Sequence, residues 1–115
     1  MLPNRVRLSE KATKKLQYMK NKTGLTLNVL ARIAIMLSIR DGSGLNNAGV
    51  SDHKGQELDK AILFGEYIYI YDVMINQYIY EHGIEENPLP QTIAALVEIG
   101  VYKMGHVKQI KDINF

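Results

Sequence analysis

The residues with the clearest chemical character form a run of lysines near the start of the chain. Five lysines fall between positions 11 and 22 with a spacing that, in an α-helix, spreads them over the outer surface. Lysine is a point charge that binds phosphate without demanding geometry, whereas base readout favours the planar fork of arginine. The pattern therefore favours contact with a nucleic-acid backbone. The five are Lys11, Lys14, Lys15, Lys20 and Lys22.

Charge is distributed unevenly along the 115 residues. Residues 1–40 contain nine basic residues and one acid, a net charge of +8. Residues 41–115 contain five basic and eleven acidic residues, a net charge of −6, and the two parts give the total of +2. This asymmetry indicates a first half that binds an anion. A solvated lysine-rich helix without a ligand is the alternative that composition leaves open.

Residues suited to catalysis or metal binding are sparse. The sequence has no cysteine, which excludes disulfides, a thiol nucleophile and thiolate-bound metal. The three histidines, His53, His82 and His106, lack metal-binding spacing, and no glycine-rich segment has the phosphate-cradling pattern of nucleotide enzymes. We therefore expect no enzymatic activity, no metal and no cofactor.

Length and composition indicate one globular domain over residues 1–115, with 46% hydrophobic and 23% charged residues. We divide it into a basic strand-helix-helix half (1–40), a loop (41–56) and an acidic helical half (57–115). Arg32 interrupts the longest apolar run, and no apolar signal core follows Met1. We expect a cytoplasmic protein without a membrane segment.

The elements that position the lysines can be outlined from local patterns. Residues 5–8 alternate polar and apolar side chains, as a short half-buried strand does. Ser9 is the expected N-cap of a first helix over 10–22, and Gly24 suits the left-handed backbone that ends it. The inward stripe of this helix comprises Ala12, Leu16 and Met19.

A second helix is expected from about Leu27 to Arg40, and it is apolar nearly all the way round. A helix apolar on every side is buried on every side, which subunit packing achieves most simply in so small a chain. A central helix within one monomer is the alternative. Arg32 is expected to pair with an acid or face solvent. The expected oligomer interface comprises Leu30, Ile33, Met36, Leu37 and Ile39.

The junction between these two helices is a second candidate for phosphate contact. Free N–H groups at the start of a helix attract anions, and a hydroxyl can add a donor. Thr23, Gly24 and Thr26 stand at this point in the sequence.

A strand followed by two helices is also typical of ribbon-helix-helix proteins, in which strands paired across a dimer enter the major groove. In that alternative docking mode, Arg5 and Arg7 face bases while Val6 and Leu8 face the core.

The second half of the chain is expected to be helical. Residues 67–71 suit a strand or a helix, but Tyr67, Tyr71, Met74 and Tyr78 follow helical spacing. Pro90 suits the start of a final helix over about 91–104, in which Gly100 weakens the helix. The apolar side of that helix comprises Ile93, Leu96, Val97, Val101 and Met104. The fold class is therefore mainly α: a compact helical domain with a short N-terminal strand or extended segment, assembling as an oligomer.

Several stretches resemble the DndE family, the small proteins of bacterial DNA phosphorothioation systems, in which sulfur replaces a backbone oxygen of DNA. They are residues 5–12, residues 22–32 with the sequence Thr-Gly-Leu-Thr-Leu-Asn, and residues 55–58 and 63–67, the last reading Leu-Phe-Gly-Glu-Tyr. The resemblance spans roughly residues 3–105. Family members often have proline at the position of Leu27 and cysteine at that of Ala31, so thiol chemistry at position 31 is not obligatory.

The resemblance implies a mainly helical homo-tetramer that binds duplex DNA, with a preference for nicked duplex. It also implies action beside a sulfurtransferase-like protein and an ATPase-like protein, while a cysteine desulfurase supplies the sulfur. It implies no catalytic residue, and by position its basic region matches the five lysines between 11 and 22.

We therefore predict a DNA-binding accessory protein of DNA phosphorothioation. The first alternative is a protein–protein adaptor, whose acidic half docks on a larger partner and whose basic helix contacts an acidic surface there. The second is a nuclease or ligase accessory with an active site hidden from sequence.

Overall fold

The structure, a computed structural model, describes residues 2–42, 50–85 and 87–105. Within these residues the chain is mainly helical, as predicted, and the predicted N-terminal strand pairs with a second short strand that the sequence did not predict. In chain order the elements are β1 (Arg5–Arg7), α1 (Glu10–Thr23), α2 (Leu27–Asp41), β2 (Glu57–Asp59), α3 (Lys60–Phe64), a 3-10 turn (Gly65–Tyr67), α4 (Ile68–His82) and α5 (Leu89–Met104).

Both predicted ends of α1 are confirmed. The Ser9 hydroxyl oxygen accepts a hydrogen bond from the N–H of Ala12 at 3.0 Å, which satisfies one of the free donors of the first turn. Gly24 ends the helix with a φ of 78°, a conformation that favours glycine. Leu16 is fully buried and Met19 packs against the core, so the predicted inward stripe is also confirmed.

α2 lies at the centre of the fold, where α5 crosses it in close contact. A Cβ atom on Gly100 would clash with the backbone oxygen of Ala34. Near this point, the Ser38 hydroxyl donates to the Leu96 carbonyl oxygen at 2.6 Å. The expectation that Gly100 weakens α5 therefore omits its main effect, since only glycine lets the two backbones approach so closely.

The burial of α2 corrects part of the predicted oligomer interface. Leu30 and Leu37 are 0% and 4% exposed within one subunit, so they belong to its core and have no surface left for another subunit. The central-helix alternative explains them. Ile33, Met36 and Ile39 are half-buried, and their place in an interface stays a prediction.

The ambiguous residues 67–71 prove helical. The 3-10 turn leads directly into α4, and the helical spacing predicted for the tyrosines places Tyr71 and Tyr78 in the core beside Ile75. Burial raises the pKa of both buried tyrosines, because it disfavours the phenolate form. Tyr67 departs from the predicted stripe, since it is 44% exposed.

Arg32 joins α2 to the start of α4. Its guanidinium carbon lies 5.3 Å from the centroid of the Tyr67 ring, and its carbonyl oxygen accepts a hydrogen bond from the Tyr71 hydroxyl at 3.0 Å. In the described part of the chain no acid lies within ion-pair distance of Arg32, so an aromatic ring takes the place of the expected partner.

β1 and β2 form an antiparallel pair in which Val6 faces Leu58, and both side chains are buried. Leu8 is buried too, as predicted. The ribbon-helix-helix arrangement requires a partner strand from a second chain, whereas β1 takes its partner from its own chain.

Residues 50–56 are irregular, in agreement with the predicted loop, and they pack on the start of α1; residues 43–49 lie outside the described residues. The Asp52 carboxylate accepts hydrogen bonds from the N–H groups of Glu10, at 3.0 Å, and Lys54, at 2.8 Å. These bonds hold the pKa of Asp52 below its ordinary value of 3.8. Gly55 fits where a Cβ would clash with the Ser9 carbonyl.

α5 begins slightly before its predicted start and places Pro90 in its first turn. The whole of its predicted apolar side is buried: Ile93, Leu96, Val97, Val101 and Met104.

Candidate nucleic-acid interface

α1 presents its lysines to solvent because its other side is fixed in the core. Four of the five predicted lysines are exposed, and Lys15 is half-buried. An exposed lysine-rich surface can contact an extended anion such as a nucleic-acid backbone. The exposed four are Lys11, Lys14, Lys20 and Lys22.

Three of the five predicted lysines share one side of α1 with an exposed tyrosine. At about 100° per residue, Lys11, Lys15, Tyr18 and Lys22 fall within about 60° of one another around the helix. We call these four residues the basic flank of α1. Lys20 lies on the other side of the apolar stripe, and Lys14 points away from the core.

Two tyrosines at this surface were not predicted from the sequence. Tyr18 lies within the basic flank, and Tyr102 lies against it. The ammonium of Lys22 lies 4.9 Å from the ring centroid of Tyr18, and that of Lys15 lies 5.6 Å from the ring centroid of Tyr102 on α5. The Lys22–Tyr18 pair has i, i+4 spacing, which the sequence could have signalled. The Lys15–Tyr102 pair joins distant parts of the chain and depends on the packing of α1 against α5.

Lys14 is partly neutralised by the one acid of α1. Its ammonium lies 3.0 Å from the carboxylate of Glu10, one helical turn earlier. The lysine side chain is 72% exposed and the glutamate 52%, so this pair is weak and an anion can replace the carboxylate.

The junction before α2 offers fewer donors than the sequence suggested. The Thr23 hydroxyl donates to the Met19 carbonyl oxygen at 2.8 Å, and the Gly24 N–H donates to the Lys20 carbonyl oxygen. The third predicted residue, Thr26, is the N-cap of α2, and its side chain makes no capping hydrogen bond. The first turn of α2 contains no acidic residue, so its N–H groups stay available to an anion.

Arg5 and Arg7 are exposed, but both face acids on the paired strand. A guanidinium nitrogen of Arg7 lies 2.6 Å from the Glu57 carboxylate, and Arg5 lies 3.7 Å from Asp59 and 3.9 Å from Glu57. Since β1 pairs within its own chain, the structure gives no support to their entry into a major groove across a dimer. Their side of the sheet is close to electrically neutral.

The described residues offer little to catalysis. No group of three or more histidine, aspartate or glutamate side chains in this part of the chain could hold a metal ion. The shifted carboxylate pKa values belong to Asp52 and to Asp41, whose pKa is lowered by hydrogen bonds from Lys103 and Arg40. Both shifts come from hydrogen bonds at the ends of helices.

Of the helices in the described ranges, none alone is long and apolar enough to cross a membrane. By length and composition, α1 and α2 qualify only as a pair, which is bent by 112° at the break between them.

Comparison with known proteins identifies relatives over nearly the whole chain. The family described as DndE, DNA sulphur modification protein DndE, matches residues 5–112. A solved structure of DndE from Escherichia coli B7A, described as involved in DNA phosphorothioation modification, is 28% identical with a TM-score of 0.74; the match covers 90% of this chain and 99% of that one. A DndE mutant with two glycines replaced by lysine is 26% identical with a TM-score of 0.72 and the same coverage. No match was found among curated proteins.

Proposed function

Because this chain belongs to the DndE family of DNA sulphur modification proteins, we propose that it serves DNA phosphorothioation as a DNA-binding subunit and carries out no catalytic step. We place its action in the cytoplasm, beside the sulfurtransferase-like and ATPase-like proteins of the same system. Its role is to hold DNA for those partners.

The observation that carries this proposal is the lysine surface of α1. Lys11 and Lys22 are eleven residues apart, which in a helix corresponds to about 16 Å. One strand of duplex DNA advances by about five phosphates over that length. The surface therefore matches a short stretch of backbone, and exposed lysines bind phosphates without reading the bases.

The start of α2 supports the same assignment. Its uncapped first turn follows directly after Lys20 and Lys22, at the bend between the two helices. Partial positive charge from the N–H groups of the first turn adds to the lysine charge and gives one continuous surface for anions.

A titration of duplex DNA over a range of salt concentrations tests the proposal. Contact with three to five phosphates predicts a slope of log affinity against log salt of about −3 to −4.5. Affinity then falls about 40- to 500-fold between 50 and 200 mM salt. In the Lys11→Gln/Lys22→Gln variant we expect a slope shallower by about 2.

The matched control removes the same charge elsewhere. Arg40 and Lys60 lie outside α1, and the Arg40→Gln/Lys60→Gln variant should keep the slope of the unmodified protein. If both double variants lose the same slope, binding depends on net charge and not on α1, and the proposed site is wrong.

A preference for nicked duplex is also part of the proposal, on the strength of the family resemblance. Nicked and intact duplexes of one sequence and length, compared at one salt concentration, test it. Equal affinity for both would remove the nick from the proposed function and leave duplex binding in place.

We further propose that the chain forms a homo-oligomer, as a tetramer. Ile33, Met36 and Ile39 offer one partly exposed apolar surface on α2. In light scattering, Ile33→Asp should lower the molar mass if that surface is an interface. A monomer with full DNA affinity would show that binding does not depend on several linked sites.

The protein–protein adaptor remains the second candidate, and the outer side of α4 favours it. Tyr69, Ile70, Val73 and Tyr80 are 84%, 58%, 71% and 74% exposed, and apolar groups so exposed are typical of interaction surfaces. An adaptor predicts DNA affinity that is weak and independent of duplex length. The DNA-binding function predicts affinity that rises with length until the basic flank is covered.

A further inference from the structure

Two exposed aromatic rings accompany the lysines on the proposed DNA-binding surface. Tyr18 is 61% exposed and Tyr102 is 62% exposed, although tyrosine rings are largely apolar. Each ring lies beside a lysine ammonium, at 4.9 Å for Lys22 and 5.6 Å for Lys15. Cation and ring therefore alternate across one surface built from α1 and α5.

This combination has a specific chemical complement. Lysine binds phosphate, while an exposed ring offers a face on which a nucleobase can stack. Bases within an intact duplex stack on one another and keep their faces hidden, so a ring can reach only a base that has left the stack. Surfaces that hold unpaired DNA combine these two groups, cations for the backbone and aromatic rings for the bases.

The lysines do not block stacking. An exposed cation–ring contact is weaker than the stacking of a base on the same ring, and the long lysine side chain can move toward the adjacent phosphate. The same side chain that now lies over the ring is then placed to bind the backbone of the nucleotide whose base stacks there.

The tyrosines of α4 provide an internal contrast. Tyr69 and Tyr80 are even more exposed, at 84% and 74%. Among the described residues, however, no cation lies over either ring, so a base that stacked on them would find no partner for its phosphate.

We propose that Tyr18 and Tyr102 stack on unpaired bases of DNA whose phosphates are bound by Lys22 and Lys15. The preferred ligand is then duplex DNA with a short single-stranded gap, held by its backbone on the basic flank and by its unpaired bases on the two rings. This inference rests on the proposed DNA binding by α1 and adds the part of the ligand that the tyrosines recognise.

The expected preference is large enough to measure. One stacked base strengthens binding by about 5- to 150-fold. Gapped DNA should therefore bind at least about fivefold more tightly than intact duplex of the same length and phosphate number.

Fluorescence anisotropy on intact and gapped duplex gives the affinity ratio for each variant. In Tyr18→Leu/Tyr102→Leu, we expect the ratio to fall to about one, because the stacking contacts that favour gapped DNA are lost. The Tyr18→Phe/Tyr102→Phe variant keeps both rings and should keep the ratio. Tyr69→Leu/Tyr80→Leu is the matched control, with two exposed rings removed away from the lysines and the ratio unchanged.

A fluorescent base analogue in the gap adds a direct readout, since its emission should be quenched by the unmodified protein and not by the Tyr18→Leu/Tyr102→Leu variant. A thermal melt equal to that of the unmodified protein shows that this variant remains folded.

The outcomes separate the two proposals. If the protein binds intact and gapped duplex equally, or if the Tyr18→Leu/Tyr102→Leu variant keeps the preference, stacking is wrong while DNA binding stands. If the protein binds neither DNA, both proposals fail. If single-stranded RNA of the gap sequence competes better than the DNA strand, the assignment to DNA is overturned.

Discussion

α1 and α4 are closely matched helices with opposite outer surfaces. They contain 14 and 15 residues, and both bury apolar side chains in the same core. Away from the core, α1 exposes lysines, whereas α4 exposes two tyrosines, an isoleucine and a valine. One fold thus presents two outer surfaces of different chemical character.

The difference shows what each surface needs from its surroundings. Charged lysine groups are well hydrated, so the outer surface of α1 can stay exposed to water. Contact between these lysines and an anion is favourable. The outer surface of α4 leaves apolar groups in water, and covering them with protein is favourable. These properties are the basis for proposing DNA contact at α1, and they lead us to expect protein contacts at α4.

The largest effects on stability should come from substitutions on the buried sides of α1 and α4, where the two helices are alike. Leu16 of α1 and Ile75 of α4 are both 0% exposed. Leu16→Ala and Ile75→Ala each leave a cavity, and we expect each to lower the free energy of unfolding by about 2–5 kcal/mol in urea titrations. Gln17→Ala and Asn76→Ala, on the exposed sides, should change it by less than about 0.5 kcal/mol. Equal effects at inner and outer positions would contradict the described packing.

Two triple variants, with three glutamates introduced on α1 or on α4, should show that the two outer surfaces differ in their effect on DNA binding. Replacing Lys11, Lys15 and Lys22 together with Glu should weaken duplex binding at least about 100-fold, because the three proposed phosphate contacts become repulsive, while the molar mass stays that of the unmodified protein. The measurements are fluorescence anisotropy and light scattering.

The matched variant replaces Tyr69, Val73 and Tyr80 with Glu. It should leave DNA affinity unchanged and affect only the protein contacts proposed at α4. Retained DNA affinity in the lysine variant would show that the basic flank is not the DNA site.

Loss of the N-cap should weaken α1 by a moderate amount. The Ser9 hydroxyl satisfies an N–H of the first turn of α1, whereas no side chain caps the start of α4. Ser9→Ala should therefore lower the free energy of unfolding by about 0.5–2 kcal/mol, measured by thermal denaturation. Ser9→Asp, which keeps a capping oxygen, should restore most of it. A full loss with aspartate would point to the buried position of residue 9 and not to its hydrogen bond.

The smallest expected effect is a dependence on acid at the start of α1. The pKa of Asp52 is lower in the folded chain than its ordinary value of 3.8, because two N–H groups donate to the carboxylate. The stabilisation by Asp52 is therefore complete above pH 3.8 and is lost as the pH falls through the folded-state pKa.

Unfolding followed from pH 6 to pH 2 measures this effect. The Asp52→Asn variant should lose stability less steeply below pH 4 than the unmodified protein. Parallel pH curves for the two proteins would rule out a contribution from Asp52.

Features set by neighbouring residues could be predicted from the sequence. The cap at Ser9 and the left-handed turn at Gly24 follow from a few adjacent residues, and the structure confirms both. The buried side of α5 follows from helical periodicity alone. The exposure of the lysines could be predicted in the same way, because the residues that form the buried stripe of α1 determine which residues lie on its outer side.

Features that depend on distant residues could not be predicted. Nothing near Gly100 indicates that Ala34 will pack against it, so its role looks like a defect in the sequence. Because α2 is apolar nearly all the way round, the sequence suggested a subunit interface. The sequence does not show that α5 covers part of this apolar surface. Tyr102 likewise joins the basic flank only through the packing of α1 and α5.

The attachment of residues 50–59 to the start of α1 has a consequence for synthesis. β1 pairs with β2, and α1 begins on the carboxylate of Asp52, so the basic helix is fixed by residues made some fifty positions later. At about 5–20 residues per second, the ribosome takes roughly 2–10 s to make that stretch. During this interval the emerging chain carries its positive charge without the contacts that fix the start of α1, which form only once residues 50–59 have been made.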